Sequence, residues 1–524
     1  MTVRFKTLPY PKNPEGFLLT CETVGGLVPD VNSLTVAFKN RFDLDAAFMA
    51  AGIYMRDVTQ PDQQERLMGR TPRTKRAPRR ARSLPACLRQ FLTPAVWRQA
   101  HRGLRKPRRG TRRNFHHLTL VVLAMTRAAG DSAPERFEMA RGIVAICRPK
   151  RARAGRSVQG FRKALARTPM RPLVALAAAV RRRFLALMGD ALVHDGFIPL
   201  GCDGSRLECP RNDELLARMG RAGKAGAAPS LWVTALVHLG TGVPWSWRLG
   251  RGDASERDHL RRLLATLPER ALVVADAGYH GYDLAAAMLG AGASFLIRIP
   301  SSVRLFVDRP IAPERFDQGP VTYWPLDARQ KGWPPLRLRL IRVRPRRRTK
   351  SGKRPADVWL LTDVLSPRRL PVERAGRLYR LRWENEGLFR TYKRTLAKVH
   401  LTGRSVRAVH REAFGSLLAC QLLLAQGAWA LGRGRTTAET ACACSARQAV
   451  LVIRRELAAQ GAVASRSTFL ERLARCRRDR RPRTSDKQKR GWPQRTPHKP
   501  PRPPRLLTMN DKEKALYSRL SSPM

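Results

Sequence analysis

The apolar residues between Phe197 and Ile299 come in short runs separated by turn formers, and this spacing constrains the fold more than any other feature of the chain. Phe197-Ile198-Pro199-Leu200-Gly201-Cys202 ends on Asp203-Gly204-Ser205, which reads as a strand delivering a carboxylate at its carboxyl end. Leu231 to Leu239 and Trp245 to Leu249, joined through Gly240-Thr241-Gly242, read as a hairpin. A charged helix follows from Ala254 to Leu267, opened by Ser255. Ala271-Leu272-Val273-Val274-Ala275 is an uncharged strand of the kind buried on both faces, and it too ends on an acid, Asp276. Gly278 and Gly281 then turn the chain into a helix near Asp283 to Leu289, and Phe295 to Ile299 is a further strand. Three strands, a helix, a strand, a helix and a strand predict an α/β fold, a mixed sheet flanked by helices.

The flanking segments have other periods. Residues 1–65 carry no usable motif, and 66–115 form a basic Arg/Pro-rich arm with one helical piece near Cys87 to Ala100. Residues 116–195 are helical by spacing: Leu118 to Ala128, a capped start at Ser132-Ala133-Pro134-Glu135, Val158 to Leu165, and Leu173 to Met188. They make a candidate DNA-binding module, though no recognition helix can be singled out. The mixed-sheet core takes 196–300 and 367–475. Between its two parts, 301–366 is a β-rich insertion with strands at Val303 to Phe306, Val321 to Trp324, Leu336 to Val343 and Val358 to Thr362, and a basic turn from Arg344 to Lys350. Trp324 or Trp333 there would suit a base out of its stack. Residues 476–524 form a basic tail expected to be disordered until it meets an anion.

Tyr379 to Lys393 reads as a helix with one charged edge. At about 100° per residue, Tyr379, Arg382, Glu386 and Lys393 fall within an arc of about 60°, while Glu384 points nearly opposite. Leu378, Phe389, Tyr392 and Leu396 lie beside that arc and give the helix a side to bury. An ordinary solvated face would look similar.

In 524 residues there are 101 Lys plus Arg against 40 Asp plus Glu, a net charge of +61, so the expected partner is a polyanion, with nucleic acid first. The basic residues are scattered, so charge does not locate the site. Nine dispersed cysteines spell neither a disulfide framework nor a zinc site and suit a reducing cytosol. Met1 to Thr20 holds Pro, Lys and Glu where a secretory leader needs an apolar core. The uncharged run Ala413 to Gly432 is long enough to span a bilayer, but its glutamines, serine and glycines favour a buried core helix, and no membrane partner is expected.

Two strands ending on aspartates and a helix presenting a glutamate supply three carboxylates that can converge at one edge of a sheet. Hard oxygen ligands suit Mg²⁺ or Mn²⁺, and three acids can hold two such ions about 4 Å apart for in-line displacement at phosphorus. Arg382 and Lys393 can then pair with phosphates, and Tyr379 can hydrogen-bond one.

Gly201-Cys202-Asp203-Gly204-Ser205, Ala275-Asp276-Ala277-Gly278-Tyr279 and the set Tyr379, Arg382, Glu386 and Lys393 resemble the DDE transposases of bacterial insertion sequences that carry a Tyr-Arg-Glu-Lys signature. The resemblance covers roughly Gly196 to Leu396. It implies a ribonuclease H-like core with a β-stranded insertion ahead of the glutamate helix. It also implies cut-and-paste movement of an element through its terminal inverted repeats, by strand transfer that forms a hairpin and flips out a base. By that similarity Asp203, Asp276 and Glu386 bind the metals, Tyr379, Arg382 and Lys393 hold double-stranded DNA at the transposon ends and target, and a homodimer assembles on the DNA. Such an enzyme would be cytoplasmic and nucleoid-associated. Two other readings compete: a metal-dependent nuclease of similar core without transposition, and a non-catalytic basic nucleic-acid-binding protein.

Overall fold

The computed structural model describes the backbone of three strands within 2–38, then residues 83–102, 104, 114–147, 155, 157–221, 226–344, 356–398, 400–432, 443–458, 468–478 and 502–521. The basic stretches 66–82 and 105–113, the turn 345–350 and the tail 479–501 lie outside the described residues. The chain divides into two units, Met1–Arg76 and Ala77–Met524. In the first, β1 (Thr2–Pro9), β2 (Phe17–Val24) and β3 (Leu34–Phe38) make an antiparallel meander.

The second unit opens with α1 (Leu84–Phe91) and α2 (Pro94–His101) where the sequence suggested a single helix. Leu92 ends the first, Thr93 caps the second, and Pro94 takes the first helical position, where its missing N–H has no partner to lose. Four helices follow at the expected places: α3 (Phe115–Arg127), α4 (Ala133–Cys147), α5 (Val158–Arg167) and α6 (Met170–Met188). Asn114 and Ser157 cap α3 and α5 with their side chains.

The core then runs β4 (Ile198–Glu208), α7 (Asp213–Met219), β5 (Ser230–His238), β6 (Pro244–Arg251), α8 (Glu256–Leu263), β7 (Ala271–Ala275), α9 (Tyr282–Gly290) and β8 (Ser294–Arg298). The first three of these strands form an antiparallel meander, while β7 is parallel to β4 and β8 to β7. The order β6-β5-β4-β7-β8 is that of a ribonuclease H-like sheet. The insertion supplies β9 (Arg304–Phe306), β10 (Gln318–Tyr323), α10 (Leu326–Gln330), β11 (Leu336–Val343) and β12 (Val358–Thr362). It continues the core sheet, because β12 pairs antiparallel with β8 at Leu360↔Arg298 and covers an edge that would otherwise stay open.

Alternation along β7 sorts its side chains between two layers. Leu272 and Val274 pack with Leu370, Ala375 and Leu378, which fixes α11 (Val372–Leu381) on that face. Ala271, Val273 and Ala275 join the main core with Leu260 and Leu263 of α8 and Leu284 and Met288 of α9. After α11 come α12 (Glu384–Arg390), a π-helical turn at Thr391–Thr395, α13 (Val406–Gly432), α14 (Ala446–Ala458) and α15 (Phe469–Ala474). The apolar run Ala413 to Gly432 lies in α13 and is enclosed by protein. A Cβ on Gly415 would sit 2.4 Å from Val122 Cγ1, so the glycine lets α13 approach α3 closely. Gln421 Nε2 donates to the Pro244 carbonyl at 3.0 Å, tying α13 to β6.

Four further expectations change. β4 runs through Asp203 to Glu208 because β5 pairs with it from Leu200↔His238 to Glu208↔Ser230, so this acid is inside a strand rather than at its end. The helix expected from Tyr379 to Lys393 is broken: Arg382 N bonds to Tyr379 O, Trp383 N to Arg380 O and Asn385 N to Arg382 O, all three residues back. Such tight turns add about 20° per residue over an α-helix, so residues beyond the break leave the straight stripe, and the π turn that holds Lys393 unwinds the chain again. The tail is ordered at its end, where β13 (Arg505–Leu507) pairs parallel with β9 and α16 (Asp511–Ser521) sets Leu516, Tyr517 and Leu520 against the core. Trp324 is fully buried, its Nε1 donating to the Trp333 carbonyl at 2.8 Å and its ring edge-on to Tyr517 at 6.2 Å, which closes it to a base.

Trp324→Ala is therefore expected to lower the unfolding free energy by about 3–5 kcal/mol and to expose 502–521 to protease. Denaturant unfolding and limited proteolysis with mass mapping check this; a tail as resistant as wild type would contradict the packing.

Candidate active site

The parallel pairing of β4 and β7 places the two aspartates. Gly201 lies opposite Val274, and two residues further along each chain stand Asp203 and Asp276, side by side just past the last residue of β7. Adjacent strands are about 4.8 Å apart, so these carboxylates share one edge. Asp203 Oδ1 accepts from the Gly204 N–H at 2.8 Å, and Asp276 Oδ1 accepts from Gly278 N–H at 2.9 Å while capping a short turn. Burial pushes the Asp203 carboxyl up to about 6, helped by the charges of Asp276 and Glu256 and opposed by the Gly204 N–H and Arg382.

Two residues of the expected stripe reach this edge. Arg382 acts on Asp203, and its guanidinium lies 5.7 Å from the Tyr379 ring centre and 5.5 Å from that of Trp383. Its side chain hydrogen-bonds Tyr379, while its buried Nε has no partner among the described residues. The Tyr379 phenol is pushed up by burial and sits in the field of Arg382, Arg298 and Asp276. Trp383 is 60% exposed beside them.

The other two do not reach it here. Glu386 is exposed on α12, and among the described residues no three His, Cys, Asp or Glu side chains stand at metal-holding geometry. Lys393 is half-buried, which lowers its pKa, and the acid acting on it is Glu208 at the far end of β4. Trp333 is half-buried, stacked on Tyr282 at 5.6 Å with the Lys331 ammonium 4.6 Å over its ring, and Trp324 is in the core.

The seat of α12 is nonetheless next to the aspartates. A Cβ on Gly201 would lie 2.7 Å from both amide atoms of Asn385, so only a glycine admits that side chain two residues before Asp203. Asn385 is fully buried, and among the described residues both its amide atoms lack partners. Glu384 is buried as well and pairs with Arg478, so the residues on either side of the break are held while Glu386 faces outward. The donor set fits a divalent ion at the two aspartates: among the described residues each carboxylate has one oxygen without a hydrogen bond, and their mutual repulsion is what a cation would relieve. Glu256, Arg298, Trp383 and Asn385 were missed by the sequence reading. Trp383 lies inside the charged stretch and had a signal; the other three depend on long-range contacts.

Residues 202–422 match the family model of the transposase DDE domain, a span that contains Asp203, Asp276, Tyr379, Arg382, Glu386 and Lys393. Over 224 residues the chain is 27% identical to the transposase InsG for insertion sequence element IS4 of Escherichia coli strain K12, covering 41% of this chain and 48% of that protein. The match thus spans about half the length of that relative. A solved structure, the piggyBac transposase synaptic complex with hairpin DNA, aligns with 78% of this chain and 89% of its own at 12% identity and a TM-score of 0.36, a likeness too loose to argue from.

The Glu384–Arg478 pair has one partner buried and one about a third exposed, with side-chain exposures of 10% and 34%. Glu384→Gln and Arg478→Met are each expected to cost about 1–3 kcal/mol, and the double variant less than their sum. Denaturant melts of the four-member cycle check this; strictly additive losses would show that the pair is not coupled.

Proposed function

We propose that this chain is a transposase of the Tyr-Arg-Glu-Lys type that cuts DNA at the terminal inverted repeats of an insertion sequence and joins the freed ends to a target. The observation that carries the reading is the registration of Asp203 with Asp276 beside Arg382, within a span that matches the transposase DDE domain. The two aspartates and Glu386 would hold Mg²⁺ or Mn²⁺, two ions in the full site. When bound, such ions supply charge stabilisation to the attacking and leaving oxygens at phosphorus.

The chain's own residues do the rest. Arg382, with a buried Nε–H to offer, and Tyr379 take the phosphate next to the aspartates. Trp383, exposed and flanked by that guanidinium, offers a face on which an unstacked base can rest, the part that the sequence suggests for Trp324 or Trp333. Lys393 meets the backbone further along the duplex. Glu386 joins when α12 turns inward, a motion suited to a helix bounded by tight turns on one side and a π turn on the other. Double-stranded DNA is the substrate, a homodimer assembled on it is the working form, and the cytoplasm with its nucleoid is the place.

Asp203→Asn, Asp276→Asn and Glu386→Gln are each expected to lower cleavage of inverted-repeat DNA by about 10³-fold or more, with binding in gel shifts retained, and EDTA is expected to abolish cleavage by the wild type. Cleavage surviving any of the three substitutions would reject that residue's role. Strand-transfer products from pre-cut ends are expected as well; cutting without joining would leave only a nuclease.

A further inference from the structure

Glu256 is the acid near the site to which that chemistry assigns no part. It opens α8, whose N-cap Ser255 accepts from the Asp258 N–H at 3.2 Å. Its carboxylate turns inward over β4, with Oε1 3.0 Å from where a Cβ on Gly204 would sit, one residue past Asp203. It acts on Asp203 and is acted on by Asp276. The Tyr279 hydroxyl, on a residue 1% exposed, sits beside Glu256 and Cys202, and its hydrogen bonding to the Glu256 carboxylate opposes the upward push of burial there.

An acid in the first turn of a helix ordinarily serves the helix dipole. Asp258 fills that part on this helix: it is exposed and paired with Arg261 at 3.0 Å. Glu256 is half-buried among two other carboxylates instead. The guanidinium that acts on it, Arg206, is engaged over the Trp232 ring at 4.6 Å and donates to the Gly252 carbonyl at 3.2 Å. Arg382 acts on Asp203 and Arg206 on Glu256, but the three acids still repel one another, and a divalent ion among them reverses the sign of that interaction.

We propose that Glu256 is a further carboxylate ligand of the divalent metal at Asp203 and Asp276, an inference that rests on the transposase reading above. The three acids converge without standing at coordination distance, so the Glu256 side chain swings onto the ion as it binds. Its position on α8 leaves it independent of α12, so an ion can be held before Glu386 arrives.

Mn²⁺ titration of the full chain without DNA, followed by the paramagnetic resonance signal of free Mn²⁺, tests this. Glu256→Gln is expected to weaken Mn²⁺ binding by about tenfold or more while leaving the melting temperature in EDTA unchanged. Wild-type Mn²⁺ affinity in Glu256→Gln, with binding lost in Asp203→Asn, would overturn the proposal and leave the metal site standing. Wild-type affinity in Asp203→Asn as well would reject the metal site itself and this ligand with it. Should Glu256→Gln fail to fold, Glu256→Asp keeps the charge but withdraws it by one methylene. Weakened Mn²⁺ binding there supports the proposal, and wild-type affinity overturns it.

Discussion

Parallel hydrogen bonding between β4 and β7 is the constraint from which the site follows. The ladder joins Ile198 to Ala271 through Gly201 to Val274, and β7 then stops while β4 continues against β5. A slip of one residue would send Asp203 to the opposite face of the sheet from Asp276, since side chains alternate. The register is held by burial on both faces of β7, where Leu272 and Val274 meet α11 while Val273 enters the main core. Packing of ordinary aliphatic residues therefore fixes the placement of two charged ones.

The charges are in an unfavourable state as they stand. Asp203 is raised toward neutrality by burial and by neighbouring acids, and the cation acting against this is Arg382, whose Nε still lacks a partner. The buried amide of Asn385 is unsatisfied next to Gly201. Unpaired polar groups are rare in folded interiors, and among the described residues two of them, the Arg382 Nε and the Asn385 amide, stand at this one edge. The Glu384–Arg478 pair and the Asn385 contact hold the start of α12, so its remaining freedom is in how the segment beyond them winds.

Much of this was legible in the sequence. The uncharged run Ala271 to Ala275 is buried throughout, as a strand covered on both faces must be, and the acids after it and after Cys202 meet. The apolar spacing located α3 to α6, and the glutamines of Ala413 to Gly432 pointed to a core helix. What escaped has physical reasons. A periodicity argument winds every residue by the same angle, so it could not see three tightened turns at Arg382 to Asn385 rotating Glu386 away. Composition judged the tail by its arginines, but Leu516, Tyr517 and Leu520 suffice to dock one helix. Trp324 found its partner in the Trp333 carbonyl, a contact that no local pattern announces.

The central claim is that Asp203 and Asp276 share a divalent ion that Glu386 completes. The most direct measurement is anomalous diffraction from crystals of the full chain bound to its element's end DNA and soaked in Mn²⁺. The expected result is a peak about 2 Å from carboxylate oxygens of both aspartates, with Glu386 turned in to reach it. A peak elsewhere, or none at the aspartates with DNA in place, would contradict the account.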